Sequence, residues 1–270
     1  MAKTYEALIR AEEEAQKKQV DPPLPGGSTQ TPDDGISPID PGPSTTDIEL
    51  LFPGDRGEPS AKSEPFSEEY DRLRVNILWA SRDEKNRTLL FTSPGGGEGA
   101  STVLVHFGTA LANQGEKVVL IDADFHSPAI HKQFHLDRDP GLTDLLLGDT
   151  KMSNVIKRTG IGTLWVVTAG IDHPDPLSLL RSGSFDTHLG KLRSLFGWIL
   201  FDGPPVNPFD EGLALSPKVD GVVMVLQAEK TRWEAAQTAK QRLEKSGAKI
   251  LGVVLNKGRF YLPKRIHRVL

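Results

Sequence analysis

Short unbroken apolar runs alternate along the chain with longer stretches in which apolar residues fall every third or fourth position, the rhythm of strands and helices taking turns. The runs predict strands over 89–92, 118–122, 163–168, 198–202, 221–226 and 250–255. The wider spacing predicts helices over 67–81, 101–114, 141–147, 176–182, 187–195 and 232–246. Val118-Val119-Leu120-Ile121 is apolar throughout rather than at every second position, which marks a strand buried on both faces. Together these patterns predict an α/β fold, a mostly parallel, doubly wound sheet with helices on both faces.

That alternation is confined to residues 66–256, long enough for one substantial core. Residues 1–20 suit a short helix with Tyr5, Leu8 and Ile9 apolar on one side, and 21–65, rich in proline and glycine with little apolar periodicity, suit a disordered linker. In the tail, 257–270, basic residues surround Leu262, Ile266, Val269 and Leu270 on one helical face that Pro263 can start. Such a segment over 262–270 fits an anionic membrane surface, or else docks on the domain or a neighbouring subunit.

Composition narrows the function classes. The net charge of −4 argues against nucleic acid as a partner, and the absence of cysteine removes disulfides and thiol chemistry. No run reaches the length of a membrane span and Met1 to Leu8 lack the apolar core of a signal peptide, so the expected location is cytoplasmic, peripheral to the inner face of the cell membrane if the tail recruits it.

The chemistry concentrates in Ser93-Pro94-Gly95-Gly96-Gly97-Glu98-Gly99-Ala100-Ser101-Thr102, between a predicted strand and a predicted helix. Glycines there allow backbone angles closed to other residues and let successive amides gather around an anion at the positive end of the helix. Gly95 to Thr102 are therefore candidate nucleotide-binding residues, with Ser101 placed to offer a hydroxyl to Mg²⁺. The lysine that normally precedes that hydroxyl is Ala100. Two further runs end in carboxylates, at Asp122 and Asp124 and at Asp202, where a parallel sheet builds its site. Asp122, Asp124 and Asp202 are candidate catalytic residues, and Ser101, Asp122 and Asp202 candidate Mg²⁺ ligands.

These segments resemble the cytoplasmic bacterial tyrosine kinases of capsule and exopolysaccharide systems, relatives of the MinD/ParA P-loop ATPases. The matches run in family order through the phosphate loop, Leu120 to Asp124 with Pro128 and His131, Pro140 to Gly148, Asp202 to Val206, Asp220 to Val225, Lys230 to Arg232 and Leu251 to Asn256. The resemblance implies transfer of the ATP γ-phosphate to tyrosines, with Mg·ATP or Mg·ADP as cofactor and a membrane polysaccharide chain-length or export protein as partner. It also implies ring-like homo-oligomers built through a helix carrying a glutamate and two arginines. Here that helix keeps Glu68 and Arg74 but has Asp71 in the middle, and Tyr5, Tyr70 and Tyr261 are the only tyrosines, where the family clusters them in its tail.

Three readings follow. The first is a degenerate family member that binds nucleotide weakly, turns it over slowly or not at all, and acts through its membrane partner. The second is an active kinase or ATPase with a substitute cation such as Lys230 or Arg232. The third is a MinD/ParA-like spatial regulator. His131 with His135, and Asp172 with His173 and Asp175, lack the partners a metal or hydrolytic site needs.

Overall fold

The structure, a computed structural model, describes residues 67–80 and 87–258. The segments expected at 1–20, 21–65 and 262–270 lie outside the described residues. Among those described, the helices are α1 (Ser67–Ala80), α2 (Ala100–Asn113), α3 (Ile130–Gln133), α4 (Leu142–Leu147), α5 (Met152–Val155), α6 (Pro176–Arg181), α7 (Gly183–Leu195), α8 (Glu211–Leu215) and α9 (Trp233–Lys245). The strands are β1 (Arg87–Thr92), β2 (Val118–Asp122), β3 (Ile156–Arg158), β4 (Leu164–Val167), β5 (Trp198–Asp202), β6 (Gly221–Gln227) and β7 (Ile250–Asn256).

The strands form one sheet in the order β3-β4-β2-β5-β1-β6-β7, parallel except for β3, which runs antiparallel along one edge. The period of two along a strand sorts its side chains onto two cores. Leu90, Val119 and Ile121 enter a cluster with α4, α6, α7 and α9, while Leu89, Phe91, Val118 and Leu120 enter one with α1 and α2. Every residue of β2 and β5 is buried, which explains their continuous apolar sequences. Each large side chain removed from water in this way contributes about 2–3 kcal/mol. Gly108 lets α2 settle close on the sheet, since a Cβ there would stand 2.6 Å from the Leu120 side chain.

The strands and helices predicted between residues 67 and 256 form, with shifted boundaries. Helix α7 starts at Gly183 rather than at residue 187, because Ser182 caps it by accepting from the Phe185 amide. Asp175 caps α6 in the same way through the Ser178 amide, which gives this aspartate a structural role. His131 lies in α3, but His135 follows the end of that helix with a left-handed φ of 53°, so the pair does not share a helical face. The three-residue β3 and the short α3, α5 and α8 carried too little periodicity to be read in advance.

Candidate nucleotide site

The phosphate loop runs from the end of β1 to the start of α2. It is fastened to the segment after β5: Thr92 Oγ1 donates to Pro204 O at 2.7 Å, Val206 N to Ser93 O at 2.9 Å, and Gly203 N to Phe91 O at 2.9 Å. Gly97 (φ 78°) and Gly99 (φ 97°) are left-handed, the conformation for which glycine is suited. A Cβ at Gly96 or Gly97 would meet nothing within 4 Å, so the loop faces open space there. Gly99 is the N-cap of α2, whose first amides have no side-chain acceptor to cap them.

Glu98 turns inward and is buried. Burial raises its pKa, opposed by the Thr231 side chain, the Gly95 amide and the charges of Lys230 and Lys257. Ala100 opens α2 with its methyl packed into the α2 core, so no side chain from this position extends over the loop. Ser101 is half-buried and Thr102 exposed on the first turn of α2.

The sheet brings the carboxylates together. Asp122 Oδ2 accepts from the Ala129 and Ile130 amides, both at 3.1 Å, fixing its side chain to the start of α3. Asp202 is 1% exposed and neither of its carboxylate oxygens has a partner in good hydrogen-bond geometry, the nearby Ser101 hydroxyl acting on it only weakly. Burial, then the neighbouring Asp122, pushes the Asp202 pKa well above the usual carboxylate range, with the Ser101 hydroxyl drawing it back. Burial likewise raises Asp122 to about 7. Asp124, also raised by burial, accepts from the His126 and Ser127 amides and is more open to solvent.

Orphaned buried carboxylate oxygens beside an uncapped helix start fit a hard dication carrying an anionic ligand. Among the described residues no group of three histidines or acids could hold a metal by itself. Mg²⁺ does not need one, because it takes one or two carboxylates and completes its shell with phosphate oxygens and water.

Sequence reasoning missed two clusters. His126 stacks on Phe209 with ring centroids 3.7 Å apart and pairs through Nε2 with buried Glu211 at 2.9 Å. At the end of β7, Asn256 Nδ2 donates to Glu98 O and Lys257 Nζ to Gly97 O, both at 2.9 Å. The available signals were the family match over Leu251 to Asn256 and position: residue 256 ends a parallel strand and 257 follows it, where such sheets gather their site. Lys230 and Arg232, the substitutes suggested by the sequence, are both exposed, and Arg232 is the N-cap of α9.

The family described as ParA, NUBPL iron-transfer P-loop NTPase, matches residues 84–269. Tyrosine-protein kinase YwqD of Bacillus subtilis (strain 168) is 34% identical over 190 residues, which cover 70% of this chain and 80% of that protein. The crystal structure of the chimerical protein CapA2B2 is similar with a TM-score of 0.70 and 29% identity, over 80% of this chain and 100% of the other. The septum site-determining protein MinD of Pyrococcus horikoshii OT3, solved with Mg-ADP, shares the fold with a TM-score of 0.55 and 22% identity, over 68% of this chain and 76% of its own. The loop, the sheet and these likenesses define a P-loop NTPase of the ParA and MinD type. Within that class, the chain belongs to the bacterial tyrosine-protein kinase family. It has no cysteine, so thiolate ligation of an iron–sulfur centre is closed to it.

Proposed function

We propose that this protein is a nucleotide-holding member of the tyrosine kinase family that regulates capsule or exopolysaccharide synthesis or export, with ATP turnover weak or lost. The observation that carries the reading is Ala100, a buried methyl at the first turn of α2 beneath an otherwise complete amide cradle. In this fold the missing lysine contacts the β- and γ-phosphates. Loss of a close charge contact of that kind costs about 2–5 kcal/mol, and about 3 kcal/mol is more than a hundredfold in rate.

The remaining groups suit binding. The loop amides would receive the phosphates, Ser101, Asp122 and Asp202 would hold Mg²⁺, and Asp124 would orient water or an attacking hydroxyl. When bound, Mg²⁺ supplies charge neutralisation across the phosphates. The partner we infer from the family resemblance is a membrane chain-length or export protein, which places this chain at the inner face of the membrane. Among the described residues no helix is long and apolar enough to cross a membrane.

Self-assembly is disfavoured in this reading. Asp71 accepts from Gln114 and Arg74 pairs with Glu116 at 3.3 Å, so both α1 residues engage the turn that follows α2 in their own chain. The spatial-regulator reading rests on residues 262–270, outside the described residues.

Calorimetric titration with Mg·ATP and Mg·ADP, with phosphate release and phosphotyrosine followed in the same samples, tests the proposal. Binding with little or no turnover is expected. Phosphotyrosine that forms in the native chain and disappears in Asp122→Asn overturns it in favour of an active kinase.

A further inference from the structure

Lys257 stands at a junction that the loop's own sequence does not reveal. Its ammonium bonds to Gly97 O at 2.9 Å from 160 residues further along the chain. An ammonium has three donors, and this contact uses one. The backbone at Lys257 is left-handed, with φ 57°, a conformation uncommon outside glycine and concentrated at functional turns.

The turn is held by Asn256. Its Oδ1 accepts from the Lys257 amide at 2.8 Å while its Nδ2 donates to Glu98 O at 2.9 Å, so one side chain fixes both Lys257 and the loop. Gly99 completes the junction. A Cβ built there would lie 2.2 Å from Asn256 Nδ2 and 3.6 Å from Lys257 Cε, so the absence of a side chain at 99 is what lets the two residues approach. The surroundings are acidic: Glu98, Asp122, Asp124, Asp202 and Glu211 all stand near the strand ends or the loop. Lys230 acts on Glu98 only through its charge, whereas Lys257 is bonded to the loop itself.

We propose that Lys257 supplies the phosphate-contacting cation of this site, reaching the loop from the end of β7 in place of a side chain at position 100. The inference rests on the nucleotide reading above and deepens it. The lysine is exposed and reaches the loop at the Gly97 carbonyl, whereas a lysine in the first turn of α2 would approach along the helix axis. A cation anchored there adds its charge to polyphosphate binding, in line with the binding and weak turnover proposed above.

The test is calorimetric titration of Mg·ATP and Mg·ADP into the native chain, Lys257→Met, Lys257→Arg, Ala100→Lys and the Lys257→Met, Ala100→Lys double variant, at low and high salt. Lys257 is exposed, and circular dichroism melting verifies that each variant folds. Lys257→Met is expected to weaken Mg·ATP binding about tenfold or more and to flatten its salt dependence. Lys257→Arg should keep most of the affinity, and Ala100→Lys should rescue Lys257→Met while adding much less to the native chain. Native-like affinity in Lys257→Met, or equal loss in the Met and Arg variants, overturns the role of Lys257 and leaves the nucleotide reading standing. Binding that appears only with Ala100→Lys also overturns it, and shows a sound cradle without a cation. No binding in any variant overturns both.

Discussion

Asp122 and Asp202 are register partners at the carboxyl ends of adjacent parallel strands, both sealed from water. The strands that carry them are the most deeply buried in the sheet, so the fold itself forces two carboxyls together where neither can be hydrated. Asp122 compensates through backbone amides and Asp202 does not.

The pair sets a pH dependence. Burial lifts Asp122 from its usual 3.8 to about 7 and raises Asp202 well above its usual range, so the folded chain holds protons that the unfolded chain has released. Their contribution is therefore fully present below the unfolded pKa and is lost as pH rises through about 7. In EDTA the melting temperature should fall between about pH 5 and about pH 8, by an amount corresponding to a few kcal/mol. Added Mg²⁺ should recover more stability at the upper end than at the lower. Asp202→Asn should flatten both trends in scanning calorimetry, and a slope unchanged in that variant would assign the pH dependence to other groups.

Gly99→Ala combines a disfavoured backbone angle with a collision against Asn256. It should destabilise the chain by about 1–3 kcal/mol in urea unfolding. Nucleotide affinity should fall as well, because the junction that holds Lys257 opens. Gly183→Ala, at a position where a Cβ meets nothing within 4 Å, serves as the neutral comparison.

Asp144 gathers the turn before α4. Its Oδ2 accepts from Gly141 N at 2.8 Å and from Ile171 N at 3.3 Å, closing a place where a Cβ on Gly141 would lie 2.3 Å from Gly170 N and Thr168 O. Asp144→Ala should cost about 1–3 kcal/mol, since it leaves the buried Gly141 amide without an acceptor. Chemical denaturation reads this directly, and a loss under about 0.5 kcal/mol would mean that water replaces the carboxylate.

Asp71→Arg restores the family's charge on α1 and removes the bond from Gln114. The exposed site predicts a stability change within about 1 kcal/mol. With Mg·ATP present, sedimentation velocity should show a larger species for the variant than for the native chain. Identical profiles would remove Asp71 as the reason for the weak self-assembly proposed above.

The sheet was legible because its central strands are buried on both faces and so announce themselves as unbroken apolar runs. The edge was not: Ile156-Lys157-Arg158 joins the sheet by pairing with β4 alone, and only its first residue is buried. The loop and the three aspartates were readable from local spacing, since each stands at or just past the end of a strand. Asn256 and Lys257 were not, because their partners are Glu98 and Gly97, and no local pattern encodes a contact between residues 158 and 160 positions apart in sequence. His126 was not readable either, since its stacking on Phe209 depends on a turn with no periodicity of its own.

The bonds from Asn256 and Lys257 to the loop bear also on the order in which the site comes into being. The loop leaves the ribosome early in the domain, but its fastenings arrive much later: Pro204 is 112 residues beyond Thr92, and Asn256 is 158 beyond Glu98. Contacts so distant in sequence form slowly and only after the intervening chain has condensed. A nascent chain that has made the glycines and all three aspartates is thus still without its completed cradle. Among the described residues, the last strand to be synthesised is the one that fastens the phosphate loop.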